Sequence, residues 1–578
     1  MKTIVALTAT LASVMLLYDT AEATAAGSAD LVLMHGRIIT VDARDHVAAA
    51  LAVRGGRILQ VGSDQSIQRL VGPATRVIDL HARTVTPGLI DAHAHVMSGA
   101  LAALFEVRLS DSQRLQDVLD RVAERARTAK AGEWILGGGW DESKLAERRY
   151  PTAADLDRVA PANPVWLENV SGHFGVANSA ALELAGISAS SPDPKAGLIE
   201  RGVDGQPTGI LKEAAQDAMG QVIPPYSTDQ RRQALKHALL LLHSEGMTGF
   251  KDPDITQDDW VAYRSLAADA LLDEYVCVLF HTPATIEGAK ATLASIRAAQ
   301  RDVIALKPTT LDVCGAKIFM DGSAVGRTAW MYQDWNRSPT EVDVGNHGFP
   351  ALDPELYRQQ VQLFVDADIS VGTHAIGDHA IDWVADTYAE VLQSNPRHGL
   401  RLAIIHANTP TDHAIAVMAT LQKRFDSAIP ETQAEFLWGV GDAYEGNLGP
   451  MRSQRLIPLH TYLDKAMIWA GGSDYDVTPL PARYGLWASV ARQTSSGRTP
   501  FGTVQSVDVH AALRSYTSWA ARQLFLEKQT GSLAPGKAAD LAIWDRDPYS
   551  VPTDRLKDMA CEMTLFRGKV VYERAVQP

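Results

Sequence analysis

Two histidines spaced two residues apart, His93 and His95, end an apolar run in PGLIDAHAHV. On a β-strand, residues i and i+2 face the same side, so both imidazoles can approach one cation and form half of a metal site. Three more polar residues close strand-like apolar runs: His374 ends ISVGTH, His406 ends LRLAIIH and Asp474 ends MIWAGGSD. A lone histidine in such a place is usually a packed or surface group. Four histidines and an aspartate, all at predicted strand ends, are better explained as ligands of a divalent metal. Lys317 lies inside the apolar run of GAKIFMDGS, where an ammonium is costly to bury. It is either a snorkelling or paired lysine, or a carbamate formed with carbon dioxide and able to bridge metals as an anion. Charge and spacing leave both open.

The remaining histidines fit blander roles. His237 and His243 fall in a helical pattern; His35, His46, His81 and His510 lie near turns or in β-rich ends. His379 and His413 trail their strands by several residues and rank second as ligands.

Polar groups of this kind need a scaffold that brings strand ends together. Strand-like runs occupy 84–93, 247–252, 275–281, 312–321, 369–374, 400–406, 425–431 and 466–474, with helical patterns such as 231–246 between them. Eightfold strand–helix alternation predicts a (β/α)8 TIM barrel over 84–525, an α/β fold whose active groups sit at the C-terminal strand ends. The gap after the first strand is too long for one crossover, so 100–215 is expected to be an inserted subdomain. Residues 29–83 and 526–578 alternate short β-rich runs with turns and predict one β-sandwich built from both chain ends.

Residues 1–25 have the pattern of a signal peptide: Lys2, an apolar run from Ile4 to Tyr18, then small-residue cleavage sites. The run falls short of the ~20 residues needed to span a membrane. A periplasmic or secreted protein without a stable membrane span is expected. The net charge of −14 and the lack of long basic runs argue against a nucleic-acid partner. Three cysteines are too few and too scattered for a disulfide scaffold or a cysteine zinc site. GSLAPGKA has phosphate-loop spacing but carries Ala538 where a hydroxyl is needed for magnesium, so a sandwich turn is expected there. No G-x-S-x-G, H-E-x-x-H or C-x-x-C motif occurs.

Taken together, PGLIDAHAH, AKIFMDGS, GTHAIGD, AIIHAN, GGSDYDV and the closing GSLAPGKAADLAIWD resemble the amidohydrolase superfamily of metal-dependent hydrolases. The insert motifs GGGWDES, PTAADLD, NPVWL, SGHFGVANSAAL and GQPTGILKE resemble a long-insert branch that includes N-substituted formamide deformylases. The resemblance covers essentially the whole chain after the leader. It implies that His93, His95 and Asp474 hold one metal, His374 and His406 another, and carbamylated Lys317 bridges them. Zinc is the first expectation, with one or two ions; manganese or cobalt is compatible with the same ligands. The chemistry implied is attack by a metal-activated hydroxide on the C–N bond of a small amide or formamide, with Asp474 taking the proton and passing it to the leaving nitrogen. The rivals are ester, lactone or phosphotriester hydrolysis at the same site, and a non-catalytic extracellular regulator on the same fold. Homodimers are common in this superfamily. TGFKDPD and PETQAEFLWGVGDAYEG depart from the branch pattern, and as loops at the mouth they would bear on substrate choice. In the insert and in 321–350, Trp140, His173 and Arg327 are the candidate substrate contacts, within an expected aromatic pocket wall.

Overall fold

The computed structural model describes residues 27–307, 310–338, 340–497 and 502–575, so the expected leader lies outside the described residues. The eight apolar runs become eight parallel strands: β1 Leu89–Asp91, β2 Met247–Ile255, β3 Tyr275–His281, β4 Leu311–Phe319, β5 Ser370–Ala375, β6 Ala403–His406, β7 Ile429–Thr432 and β8 Ala470–Gly471. They pair in sequence order from β1 to β8. The Ala92 N–H donates to the Gly471 carbonyl at 2.9 Å and the Asp474 N–H to the His93 carbonyl at 2.7 Å, which closes β8 onto β1 as a barrel. Nearly every strand residue is buried, as expected when helices cover a parallel sheet. The helix Thr228–Ser244 begins with a capping box, Ser227 accepting from Gln230 N–H while the Gln230 side chain accepts from Ser227 N–H.

Both chain ends build the sandwich. A four-stranded sheet uses Leu31–Met34, Ala50–Arg54, Arg57–Gly62 and Arg76–Asp79, and a six-stranded sheet joins N-terminal strands to Leu541–Trp544, Cys561–Phe566 and Lys569–Glu573. Leu33, Leu51, Val85, Leu541 and Leu565 share their core. The expected first barrel strand, 84–93, is two strands. Thr84–Pro87 pairs antiparallel with Leu541–Trp544 in the sandwich, and only Leu89–Asp91 belongs to the barrel. The chain changes sheets at Gly88, where a Cβ would lie 2.2 Å from the Thr248 side chain.

Between β1 and β2 the insert forms its own six-stranded sheet from Val107–Arg108 to Pro207–Glu213. Trp140, Phe174 and Tyr150 form an aromatic cluster within it. No helix among the described residues is long and apolar enough to cross a membrane.

Cys277 on β3 and Cys314 on β4 form a disulfide, with Cα atoms 5.6 Å apart, and Cys561 is free and buried. The cysteines looked scattered because a separation of 37 residues is one strand–helix–strand crossover, which returns the chain to the neighbouring strand. A loop of this length is worth about 3–4 kcal/mol to the folded state in the chain-entropy account. Denatured, unreduced protein should therefore titrate one thiol and reduced protein three. Replacing Cys277 and Cys314 together with serine should lower the urea-unfolding free energy by about that amount. Three thiols before reduction would exclude the bridge.

Candidate functional site

Each expected ligand lies at or near the C-terminal end of a barrel strand, so the strand ends set the geometry. His93 and His95 follow β1, Lys317 lies in β4, His374 in β5, His406 ends β6 and Asp474 follows β8. The backbone is left-handed at both His406 (φ 71°) and Asp474 (φ 55°). Such conformations cost about 1–3 kcal/mol at a non-glycine residue and persist where the surroundings over-determine them. At Gly472 a Cβ would meet the His93 backbone nitrogen at 2.8 Å, so only glycine lets β8 approach β1 this closely. Asp91 ties the same two strands, accepting from His93 N–H at 2.9 Å and Ser473 N–H at 3.0 Å. Burial raises the Asp91 carboxyl to about 7.

Asp474 Oδ1 lies 3.1 Å from His93 Nε2 and 3.2 Å from His95 Nε2. His93 is fully buried and neither of its ring nitrogens has a hydrogen-bond partner, so the approach of His93 to Asp474 is a close contact without hydrogen-bond geometry. Ligand atoms of His93, His406 and Asp474 all lie within 4.8 Å of one another. Burial works against the Asp474 carboxylate, but the contacts from His93 and His95 prevail and hold it well below its ordinary value.

The other pair is more telling. The Gly322 carbonyl sits 3.1 Å from His374 Nε2, and a carbonyl only accepts, so that nitrogen carries the proton. Gln433 Oε1 accepts from His406 Nδ1 at 2.7 Å. The bare nitrogens, His374 Nδ1 and His406 Nε2, then face each other at 2.9 Å. Burial, followed for His374 by the charge of His406, pushes both imidazoles well below their usual range, which keeps them neutral. Two lone pairs at this distance repel unless a cation shares them. This donor set fits a divalent metal: neutral imidazoles, an anionic carboxylate and orphaned buried nitrogens.

Lys317 is 1% exposed and has no hydrogen bond or ion pair among the described residues; its Nζ lies over the Phe319 ring, 4.6 Å from the centroid. Burial pulls its ammonium down to about 8. Asp321 fixes the loop after β4 by accepting from the N–H groups of Trp330, Ile376 and Gly377 at 2.8–3.0 Å.

The three expected substrate contacts separate. His173 reaches the mouth: its ring centroid is 4.9 Å from that of His374, and its Nδ1 is 2.9 Å from Glu213 Oε2. Trp140 does not. It is wholly buried in the insert, its indole N–H donates to the Leu167 carbonyl at 3.0 Å, and the expectation is corrected to a packing role. Arg327 turns toward Asp343, 3.6 Å away, and no contact places it among the ligands. Of the expected aromatic wall, Trp335 is buried and donates to the Ala329 carbonyl. His379 stacks against Trp330 and Tyr332 (centroid distances 3.7 and 4.2 Å), and His413 pairs with Asp386 at the surface.

Sequence reasoning missed an ion pair beneath the ligands. Lys251 of β2 and Glu431 of β7 are both buried and bonded directly to each other. Gln523 donates to Glu431 Oε1 at 2.7 Å, and Oε2 lies 3.7 Å from His93 Nδ1. Both residues lie in runs expected to be barrel strands, 247–252 and 425–431, and their charges face the barrel interior; the segment expected to be a loop after strand seven continues into helices from Phe436. The signal available was a charged residue embedded in each apolar run.

A barrel with ligands at its strand ends and a sandwich joining both termini defines a hydrolase of the amidohydrolase kind. Residues 76–572 match the amidohydrolase family, and the chain belongs to it. It is 31% identical to N-substituted formamide deformylase from Arthrobacter pascens over 94% of this chain and 98% of that protein. It is 30% identical to Protein LONG AFTER FAR-RED 3 from Arabidopsis thaliana, over 94% and 92%. The crystal structure of an uncharacterized metal-dependent hydrolase from Pyrococcus horikoshii shares the fold, with a TM-score of 0.68 at 22% identity over 91% of this chain and 99% of that one.

Removing one member of a buried ion pair strands the other charge. Lys251→Met should destabilise chelator-treated protein by about 3–5 kcal/mol in urea unfolding, and adding Glu431→Leu should recover most of the loss. A Lys251→Met protein as stable as wild type would contradict the pair.

Proposed function

We propose that this protein is an exported metal-dependent hydrolase that cleaves the C–N bond of a small amide or formamide. The observation carrying the proposal is the facing of His374 Nδ1 and His406 Nε2 at 2.9 Å, beside Asp474 and the His93–His95 pair. His93, His95 and Asp474 would hold one ion and His374 and His406 a second, with Lys317 between them. Zinc suits the imidazole and carboxylate donors best. A divalent ion there supplies an acidified water and polarises a carbonyl. Asp474, kept anionic, takes the proton of the attacking water and delivers it to the departing nitrogen. Lys317, drawn down to about 8, has enough neutral amine near neutral pH to combine with carbon dioxide, releasing one proton and becoming an anion. That change removes the penalty of an unpaired buried ammonium. The name of the Arthrobacter relative favours amide-type substrates over esters. The leader pattern and the Cys277–Cys314 bridge support an oxidising compartment.

Protein purified without chelator should contain one to two equivalents of divalent metal by plasma emission, and Lys317→Ala should contain less. Absence of metal from the wild type would refute the proposal; full metal in the variant would refute the carbamate. Asp474→Asn should lower kcat by about two to four orders of magnitude on whichever substrate emerges from a screen of amides, N-acyl amino acids, formamides, esters and lactones. Turnover of esters and lactones alone would move the assignment away from C–N bonds.

A further inference from the structure

The insert sheet carries a buried charge without a partner. Phe174, on the strand Phe174–Ala177, and Lys212, on the strand Pro207–Glu213, are paired in register, so their side chains share one face. Lys212 is 7% exposed, and its ammonium makes no hydrogen bond or ion pair among the described residues. The ring faces of Tyr150 and Phe174 take that place, their centroids 5.1 and 5.4 Å from Nζ. Burial pulls the ammonium below its ordinary value and the charge of Arg327 adds to the fall, against the carboxylates of Glu200, Glu142 and Glu213. Those carboxylates are engaged elsewhere. Glu213 accepts from His173 Nδ1 at 2.9 Å and from the Thr328 hydroxyl, Glu142 from the Asn169 amide at 3.2 Å, and Glu200 from the Thr208 hydroxyl at 3.4 Å. An unpaired buried ammonium is costly, and a side chain kept for packing alone could as well be apolar.

A second cation borders the same pocket from the barrel side. On the loop after β4, a Cβ at Gly326 would lie 3.5 Å from Phe174 Cδ1. The next residue, Arg327, has a left-handed backbone (φ 57°), which a non-glycine residue keeps only where its surroundings fix it. Its guanidinium meets one carboxylate, Asp343 at 3.6 Å, which is bonded more closely to Arg337 (2.7 Å) and Asn346 (3.0 Å). Arg327 thus keeps donors open, on a side chain 25% exposed. His173, the residue before Phe174, brings its ring centroid within 4.9 Å of that of His374, so the pocket adjoins the metal ligands. Two cations whose charges oppose each other beside aromatic walls are relieved by an anion with an apolar body.

We propose that Lys212 and Arg327 bind a carboxylate at the far end of the substrate, against the rings of Tyr150 and Phe174, so that the substrate is an acidic amide of the N-formyl or N-acyl amino acid class. No bond is made or broken there; the subsite selects which amides reach the metal ligands. This assignment names the substrate class of the hydrolase reading and rests on it.

Calorimetry of the full-length protein with two inert probes, 3-phenylpropionate and 3-phenylpropanol, separates charge from shape. Wild type should bind the acid about 10- to 100-fold more tightly than the alcohol. Lys212→Met should remove that preference at wild-type metal content, Arg327→Met should reduce it, and Lys212→Arg should retain most of it. Should Lys212→Met fold poorly, Lys212→Gln carries the same comparison. In turnover, loss of the ammonium should narrow the kcat/KM preference for N-formylphenylalanine over N-formylphenylalaninamide by a similar factor. A wild type with no preference for the acid overturns the proposal. So does an acid preference that survives Lys212→Met, which would place the carboxylate on the metal instead. If wild type lacks metal yet loses its acid preference in Lys212→Met, the hydrolase reading fails and the anion site stands.

Discussion

Two imidazole nitrogens with no proton between them, 2.9 Å apart in the barrel mouth, are the constraint around which the rest of the site is organised. The arrangement is unfavourable by itself, because two lone pairs repel at this distance. It persists because each ring is fixed from behind. The Gly322 carbonyl and the Gln433 amide oxygen dictate which nitrogen of His374 and of His406 carries hydrogen. On the opposite side, Asp474 sits against His93 and His95 and remains charged despite burial. Glu431, bonded to the buried Lys251, lies 3.7 Å from His93 Nδ1 on that flank, near enough to act on it by charge without a hydrogen bond. Cation-binding sites commonly fix their ligands through such outer hydrogen bonds, and here those bonds come from neighbouring strands and loops.

The barrel makes this possible because its closure and its chemistry are the same set of bonds. Asp91 joins β1 to β8 through the N–H of the ligand His93 and the N–H of Ser473, the residue before the ligand Asp474. The missing side chain at Gly472 sets how closely those strands approach. Positive φ values at His406 and Asp474 then turn their side chains into the mouth. A scaffold with looser strand pairing could not hold these conformations, since each costs as much as a good hydrogen bond returns.

Much of this was legible from residue order. Apolar runs ending in histidine or aspartate mark both strands and their functional ends, so five of the six expected ligands come from the signal that marks the strands; Lys317, inside its run, became a candidate ligand through the family resemblance. The first strand misled because Thr84–Pro87 and Leu89–Asp91 are equally apolar, and hydrophobicity does not report a change of sheet at Gly88. Trp140 misled because an aromatic in a glycine-rich motif looks the same whether it lines a pocket or fills a core. Lys251 and Glu431 were hidden by distance: 180 residues separate them, and only the closed barrel shows that each charge has a partner. The Cys277–Cys314 bridge was hidden in the same way by a single crossover.

These misses concern pairings across the fold, and they bear on how substrate choice is divided within it. The barrel strands carry the candidate metal ligands, and their spacing tolerates little change. The insert is a separate sheet whose Val118, Ile135, Leu167 and Phe174 share the barrel's apolar core, and Glu213 binds it to the loop after β4 through Thr328. Relatives similar over more than nine-tenths of this chain carry names as different as N-substituted formamide deformylase and Protein LONG AFTER FAR-RED 3. Divergence of that kind is easier to accommodate in a sheet outside the barrel than in strands whose closure depends on a glycine with no room for a methyl group.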